Sequence, residues 1–488
     1  MDPTRRARIS SRIFACTLAT AVFLPVQAHA GGFTTATFGG EHSTAADVTP
    51  SALYYNPGAI GFLHGQQLML DAALAIHSAS YTRDASVIDP STLASVEAAG
   101  LNRQDAIDAL SGEGSLMNVL LLPFVGGVTD LGMRNGPLRL GAAFFVPFGG
   151  QSSFDMEPDD PNFPGAADGP ARWYNMEGTI RSLAATLALA YRFERARLSL
   201  GVAGTLYLSE VNSVRARNAN ATDNLVSADG SLLEGRSLLD VSGTHFGIGG
   251  GLLWEAIERV LWLGASYQSQ PGLGTMQLTG TLSNTLGSAP PAAPDDVVFT
   301  QELPDIVRFG ARLRPQRALE LRVGVSWERW SRLEQMCLAS DRVADVEAAC
   351  ETRSNGSLVD ARYASDVVQV FARDWKDSIV VRGGASYYLG SKLELFGGVM
   401  YSSNAIPDRT LDPSLYDMDQ LSFALGAAYL FGEHVSLTLT LTELLYFDRD
   451  TNGVPGNERL AAPSRQPANA GEYSQNTFLV QPSATFLF

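Results

Sequence analysis

Five arginines, Arg308, Arg312, Arg314, Arg322 and Arg382, share the polar face of three alternating segments late in the sequence. A guanidinium is a planar fork of donors that grips a carboxylate through two parallel hydrogen bonds. Arg308, Arg312, Arg322 and Arg382 are therefore candidates to hold the carboxylate of a ligand. Asp71, Glu320, Glu328 and Glu394 lie on the same kind of face, and Asp47 and Glu41 precede them. A buried charge needs a partner whether or not a ligand is present, so structural pairing with these acids is the use preferred from the residues alone.

Other reactive side chains are sparse. Of the histidines beyond residue 30, His77 and His245 fall on the polar face. Neither stands in a serine-histidine arrangement, so no catalytic residue is assigned and the chain is not read as an enzyme. Asp448-x-Asp450-x-Asn452-Gly453 has the form of the first half of a calcium loop, but Arg459 occupies the twelfth position, where a bidentate acid is needed. An ordinary polar turn accounts for it, and no metal or cofactor is assigned.

The start of the chain sets the compartment. Arg5, Arg6, Arg8 and Arg12 make a basic lead, an apolar stretch runs from Ile13 to Val26, and Ala28-His29-Ala30 is a small-x-small cleavage site. The apolar part is too short to cross a bilayer, so residues 1–30 read as a cleaved secretory signal. Cys16 sits inside that stretch rather than after it, against a lipoprotein. Export places the remaining cysteines, Cys337 and Cys350, under oxidising conditions, and they are expected to close a disulfide in a polar loop.

The chain has 488 residues, 45% of them hydrophobic and 18% charged, with a formal net charge of −16. Mean hydropathy is +0.02. No interior apolar run reaches the roughly 18 residues of a membrane helix, which excludes a helical bundle. The acidic balance and the lack of Lys/Arg blocks exclude nucleic acid as a partner.

The elements that position the arginines are alternating segments of about ten residues, which recur from Leu68 to the end. Leu68, Leu70, Ala72, Leu74 and Ile76 alternate with Met69, Asp71, Ala73, Ala75 and His77. The same pattern returns at Leu138 to Val146, Leu183 to Tyr191, Leu319 to Trp327 and Phe478 to Phe488, among others. With the less regular run from Asn118 to Thr129 the count is fourteen. Their joints alternate between short turns, such as Arg134-Asn135-Gly136 and Gly390-Ser391, and long loops near 83–117, 149–174, 209–241, 268–303, 331–376, 403–419 and 447–474. Sorting of loops by side belongs to an outer-membrane barrel. In lipid, open backbone groups find no partner, so the strands must close into a ring. Tyr191, Trp254, Trp262, Trp327, Tyr387, Tyr401 and Tyr429 fall near strand ends, where aromatic girdles meet the interface.

Residues 31–66 differ. They are rich in Gly, Ala, Ser and Thr, lack the alternation, and are too few for a core of their own. A barrel of this size is wider than its side chains fill, so this segment is expected inside it as a plug, with residues 67–488 as the barrel.

On these residues the chain resembles the FadL family of outer-membrane transporters for long-chain fatty acids and other hydrophobic compounds. Ala45-Ala46-Asp47 with Ala52 to Gly61 is similar to the family's hatch motif, in which Asn56, Pro57 and Gly58 stand where Asn-Pro-Ala is usual. Leu303-Pro304 to Gly310, Trp327 to Ser331, Trp375-Lys376-Asp377 with Val381 to Tyr387, and Ser402 to Asp408 resemble its later strands and loops. The resemblance implies a 14-stranded barrel with an N-terminal hatch, working as a monomer among outer-membrane lipid. It also implies passive uptake of fatty acids or similar small hydrophobic molecules, with release sideways at an inward kink of the third strand.

Pro147 interrupts that third strand, followed by Gly149-Gly150, and Pro123 interrupts the second. A hairpin about Arg134-Asn135 pairs residues whose numbers sum to roughly 269, which sets Pro123 beside Val146 or Pro147. Neither proline can donate to the ladder. Pro123, Pro147 and Gly149 are thus candidates for a side opening, the alternative being a harmless bulge near the rim. The competing functions are a general polar porin and a surface adhesin or receptor that uses the 331–376 loop.

Overall fold

The computed structural model describes residues 38, 40, 43–133, 136–287, 289 and 293–488. The secretory signal, Glu41, and the turn at Arg134-Asn135 lie outside the described residues. Fourteen antiparallel strands build the wall. They are β1 (Gln66–Arg83), β2 (Gly112–Thr129), β3 (Leu138–Ser153), β4 (Glu177–Phe193), β5 (Leu198–Arg217), β6 (Gly235–Ile257), β7 (Leu261–Gln268), β8 (Ile306–Gln316), β9 (Leu319–Glu328), β10 (Ser378–Leu389), β11 (Leu393–Ser402), β12 (Gln420–Phe431), β13 (Val435–Tyr446) and β14 (Gly471–Leu487).

The alternation decides which way each strand faces. Leu70, Leu74 and Ile76 of β1, Leu187 and Leu189 of β4, and Leu437, Leu439 and Leu441 of β13 are exposed on the outside, where lipid chains cover them. Met69, Asp71, Ala73 and Ala75 are buried inside. Closure follows from the need to pair every backbone group: β1 runs against β14 from Gln67 opposite Leu487 to Arg83 opposite Gly471. Gln66 and Phe488 exchange backbone hydrogen bonds at the seam.

Trp262 departs from the expected girdle. It is 7% exposed and faces inward, with the Arg312 guanidinium 4.2 Å from its ring centroid. Its odd neighbours Leu261 and Leu263 take the outer positions in β7, so strict alternation turns Trp262 inward even near the strand end. Trp254, Trp327, Tyr387 and Tyr429 do face outward.

Several long joints are folded rather than looped. β5 and β6 stay paired as far as Arg217 opposite Gly235. Where β7 stops at Gln268, the strand Met276–Thr285 takes over the edge of β6, and Asp295–Gln301, Gln335–Ser340 and Val367–Ala372 continue the sheet. This corrects the expectation of plain loops at 209–241, 268–303 and 331–376. Met276, Leu278 and Leu282 alternate with Gln277, Thr279 and Thr281, so the strand Met276–Thr285 is apolar only toward the interior. The strands after it bury Val298, Cys337 and Ala339 on the opposite face as well, in a small core with Val346, Ala349 and Cys350. The Cys337–Cys350 disulfide is formed, with Cα atoms 6.1 Å apart, and joins the Gln335–Ser340 strand to the short helix Val346–Ala349. In the β1–β2 joint two helices, Pro90–Ala98 and Arg103–Leu110, are capped by Asp89 and Asn102 and pack under Phe163 and Trp173.

One seam of the wall is incomplete. β2 and β3 pair only from Thr129 opposite Leu140 to Phe124 opposite Phe145, in the register whose numbers sum to 269. β2 goes on pairing with β1 as far as Gly112, and β3 with β4 as far as Ser153. The β3–β4 ladder skips between Phe145 and Phe148, so Val146 and Pro147 together oppose Leu183 and the strand bends. Above the break Asn118 donates from Nδ2 to the Gln151 carbonyl at 2.7 Å, and Asp155 N–H donates to the Ser115 carbonyl. Residues 119–123 and 146–150 therefore face each other with no ladder between them. The outward side chains of β2 along this stretch, Val119 and Leu121, are exposed to lipid like those of the paired wall.

Candidate functional site

Inside the wall, the described part of the N-terminal segment, Phe38, Gly40 and residues 43–65, lies against the inner face of β3 to β9. Asn56 fixes it. Its Nδ2 donates to the carbonyls of Ala45 at 2.6 Å and Leu252 at 2.8 Å, and its Oδ1 accepts from Gly58 N–H at 2.9 Å. Ser266 Oγ donates to the Tyr55 carbonyl at 2.6 Å. The approach is backbone to backbone. A β-carbon on Gly58 would stand 2.5 Å from the Gly251 carbonyl oxygen, so glycine in the Asn-Pro-Gly turn answers a packing need. Its φ of −66° is open to any residue. On the wall, Gly264, Gly310 and Gly324 stand in register across β7, β8 and β9. A β-carbon on Gly264 would collide with the Ala45 carbonyl, and one on Gly310 would lie 2.8 Å from Ala46 N.

The arginines divide by what they meet. Arg322 is bound between Asp47 of the N-terminal segment at 2.9 Å and Glu320 at 2.6 Å, with Glu394 at 3.9 Å. Arg312 stacks on Trp262. Arg308 donates to Gln268 Oε1 at 3.1 Å and sits 4.3 Å over the Tyr54 ring. Arg382 borders the large cavity described next. So of the four arginines named from the sequence, Arg382 reaches that cavity and the others brace the segment beneath it. Buried and paired on both sides, Arg322 cannot lose its acids without leaving an uncompensated charge, which costs several kcal/mol in typical buried pairs, about 3–5.

The cavity occupies about 330 Å³ above the N-terminal segment, within the range of small-molecule sites, about 300–1,000 Å³. Its walls are mostly apolar: Leu116, Leu120 and Leu122 of β2, Leu239, Phe299, Met336 and Leu338 of the outer sheet and β6, Met400, Leu444 and Leu479. Gly149 and Gly150 of β3 complete the wall beside Leu120 and Leu122. These are the residues on either side of the unpaired seam. Pro123 and Pro147 flank it at its lower end, where Phe124 and Phe145 pack with Phe38 and Tyr54 of the N-terminal segment.

The outer end of the cavity was not legible as a site. Arg215 and Arg373 border it there, together with Tyr174, Phe371 and Tyr416. Arg215 donates to Gln369 Oε1 and lies 4.9 Å from the Phe371 ring centroid. Arg373 pairs with Asp412 at 2.7 Å. Burial pushes the phenols of Tyr174 and Tyr416 well above the ordinary tyrosine range, so they stay neutral donors. Arg215 continues the inward parity of Val211 and Ser213, but only the extension of β5 past the lipid reveals it.

In the loop after β13, Asp450 accepts from Asn452 N–H at 2.9 Å, and Arg449 pairs with Asp408. That ties the segment to the 403–419 loop as a turn.

Comparison with known proteins agrees with this architecture. Residues 12–486 match the family described as outer membrane protein transport protein (OMPP1/FadL/TodX). Outer membrane protein P1 of Haemophilus influenzae is 25% identical over 338 residues, 67% of each chain. The crystal structure of a Pseudomonas aeruginosa FadL homologue superposes with a TM-score of 0.70 at 16% identity, covering 94% of this chain and all of that one (100%). The Pseudomonas putida toluene transporter TodX gives 0.62 at 14% identity, over 94% of this chain and 99% of that one. The chain belongs to the OMPP1/FadL/TodX family of outer-membrane transport proteins and has the 14-stranded barrel of its solved relatives.

Proposed function

We propose that this barrel takes up long-chain fatty acids or similar hydrophobic molecules without an energy source and releases them sideways into the membrane between β2 and β3. The observation that carries the reading is the coincidence of the apolar cavity with the unpaired seam: Leu120 and Leu122 on one lip and Gly149 and Gly150 on the other belong to both. Unpaired backbone groups in hydrocarbon are costly, and a wall keeps them only where a water, a ligand or a neighbouring group takes their place. The N-terminal segment, residues 31–66, acts as a hatch that closes the lower lumen. The glycine contacts and the Asp47–Arg322 pair support that role.

A polar porin would have a water-filled lumen in place of an apolar pocket closed from below. Equilibrium binding of radiolabelled oleate to the purified protein in a maltoside detergent separates the two. Saturable binding at one site per chain is expected, and linear, non-saturable uptake would contradict it.

A further inference from the structure

One side of the apolar cavity carries a row of uncharged polar side chains that a plain hydrocarbon chain does not use. Ser402 of β11 stands opposite Gln420 of β12, and Gln420 opposite Tyr446 of β13. Leu445 pairs with Asn476 of β14, which sets Gln475 beside Tyr446. One step lower, Thr477 of β14 pairs with His77 of β1. All six side chains line the cavity. Two residues further toward the N-terminal segment, along β11, β13, β14 and β1, the wall turns apolar at Met400, Leu444, Leu479 and Ala75. Part of the row is satisfied within itself: Thr477 Oγ1 lies 2.9 Å from His77 Nδ1 and 3.4 Å from the Tyr446 hydroxyl. The rest is open. Among the described residues, the side-chain amides of Gln420 and Gln475 and the Nε2 of His77 have no hydrogen-bond partner. Each amide can both donate and accept, and His77 Nε2 does whichever its tautomer leaves to it. An alkyl chain laid over these groups strips their water and returns no hydrogen bond, which is unfavourable.

We infer that the cavity takes oxygenated chains, and that Gln420 and Gln475, with His77 below them, bind an uncharged hydroxyl or carbonyl oxygen carried part-way along the apolar tail. This rests on the uptake reading and narrows it: the preferred ligand is a chain with a mid-chain oxygen, not a bare alkyl chain. The rest of the tail keeps to Met400, Leu444 and Leu479, and to Ala75, which pairs with Leu120 at the lip of the β2–β3 seam. A site built to hydrogen-bond an oxygen rejects the analogue that lacks it, because its own polar groups are then left unpaired. His77 pairs with Asn118, whose amide bridges the upper end of the seam, so the oxygen rests just above the exit.

The test is equilibrium dialysis of octadecanoate, 10-hydroxyoctadecanoate and 2-hydroxyoctadecanoate against the purified protein in neutral detergent, with uptake by empty micelles subtracted. The three share a carboxylate, so the comparison reads the hydroxyl alone. The 10-hydroxyl sits at the middle of the chain and meets the row in either orientation of the ligand. Two net hydrogen bonds predict that 10-hydroxyoctadecanoate binds about tenfold more tightly than octadecanoate. The 2-hydroxy acid should bind like octadecanoate. In a wholly apolar cavity the mid-chain hydroxyl would weaken binding instead. Gln420→Leu combined with Gln475→Leu should remove the preference while octadecanoate binds at least as tightly as before. The melting point should not fall, since neither amide has a partner to lose among the described residues. Equal or weaker binding of the 10-hydroxy acid by the wild type, an equal gain from the 2-hydroxyl, or a preference that survives in the double variant would each overturn the inference and leave hydrophobic uptake standing. Binding of none of the three would overturn both. The wild-type comparison needs no variant to fold.

Discussion

Deleting Pro147 and replacing Pro123 with valine is expected to slow oleate uptake by on the order of a hundredfold. The deletion leaves Val146 opposite Leu183 and Phe148 opposite Ser182, so the β3–β4 ladder runs without its bulge. β3 then lies straight beside β2, and the Pro123→Val change supplies the backbone N–H that proline lacks. Three new ladder bonds at about 1 kcal/mol each favour the closed seam by about 3 kcal/mol, which is roughly a hundredfold in the open fraction. Radiolabelled oleate uptake by cells that depend on this protein measures it, with heat-modifiable migration on gels as the control for a folded barrel. Uptake at the wild-type rate from a folded double variant would mean that the bulge is no exit.

The second large effect concerns the lower lumen. Gly264→Val is expected to unseat the N-terminal segment and make the barrel leak. Its β-carbon collides with the Ala45 carbonyl, and the branches reach into the turn that also carries Asp47, the partner of Arg322. Overpacking of this kind costs about 1–3 kcal/mol, roughly a five- to hundredfold rise in the unseated fraction. Conductance of the reconstituted barrel and cell sensitivity to a large hydrophilic antibiotic should both rise. Gly383→Val is the matched control, because a β-carbon at Gly383 meets nothing within 4 Å. If both variants leak equally, the segment does not seal the lumen. If neither leaks, the glycine contacts do not hold the seal.

The barrel was legible in the sequence because lipid imposes a rule on every strand: apolar outward, anything inward. That rule marked thirteen of the wall strands, the less regular run from Asn118 to Thr129 completed the count, and the register across the first hairpin followed from the place of its turn. It gave no purchase on the strands beyond the lipid. Met276–Thr285 meets water on one side, so its outer face carries Gln and Thr and reads as loop, and Gln335–Ser340 is covered on both faces, so it shows no alternation at all. The site divided along the same line. Arg322 was visible as an inward charge, and Asp47 and Glu320 as its possible partners, because parity fixes facing within a strand. Which arginine meets the cavity was not visible, since that depends on where the N-terminal segment stops. Tyr54 and Tyr55 bring it up under Arg308 and Arg382, so the open volume begins above them. Arg215 and Arg373 lay in stretches with no lipid-facing alternation, and only the folded outer sheet brings them together. Gly58 carried a signal of a different kind. It departs from the alanine usual in the motif, and the Gly251 backbone pressed against it leaves no room for a β-carbon.

The central claim is that hydrophobic molecules pass from the outer cavity into the membrane, and not through the barrel as through a pore. Reconstitution into liposomes that carry a bilayer-embedded fluorophore quenched by a brominated fatty acid, and a trapped hydrophilic dye, tests it directly. With the acid added outside, quenching should speed up in proportion to the protein while the dye stays inside. Dye release in step with quenching, or quenching no faster than in protein-free liposomes, would contradict the account.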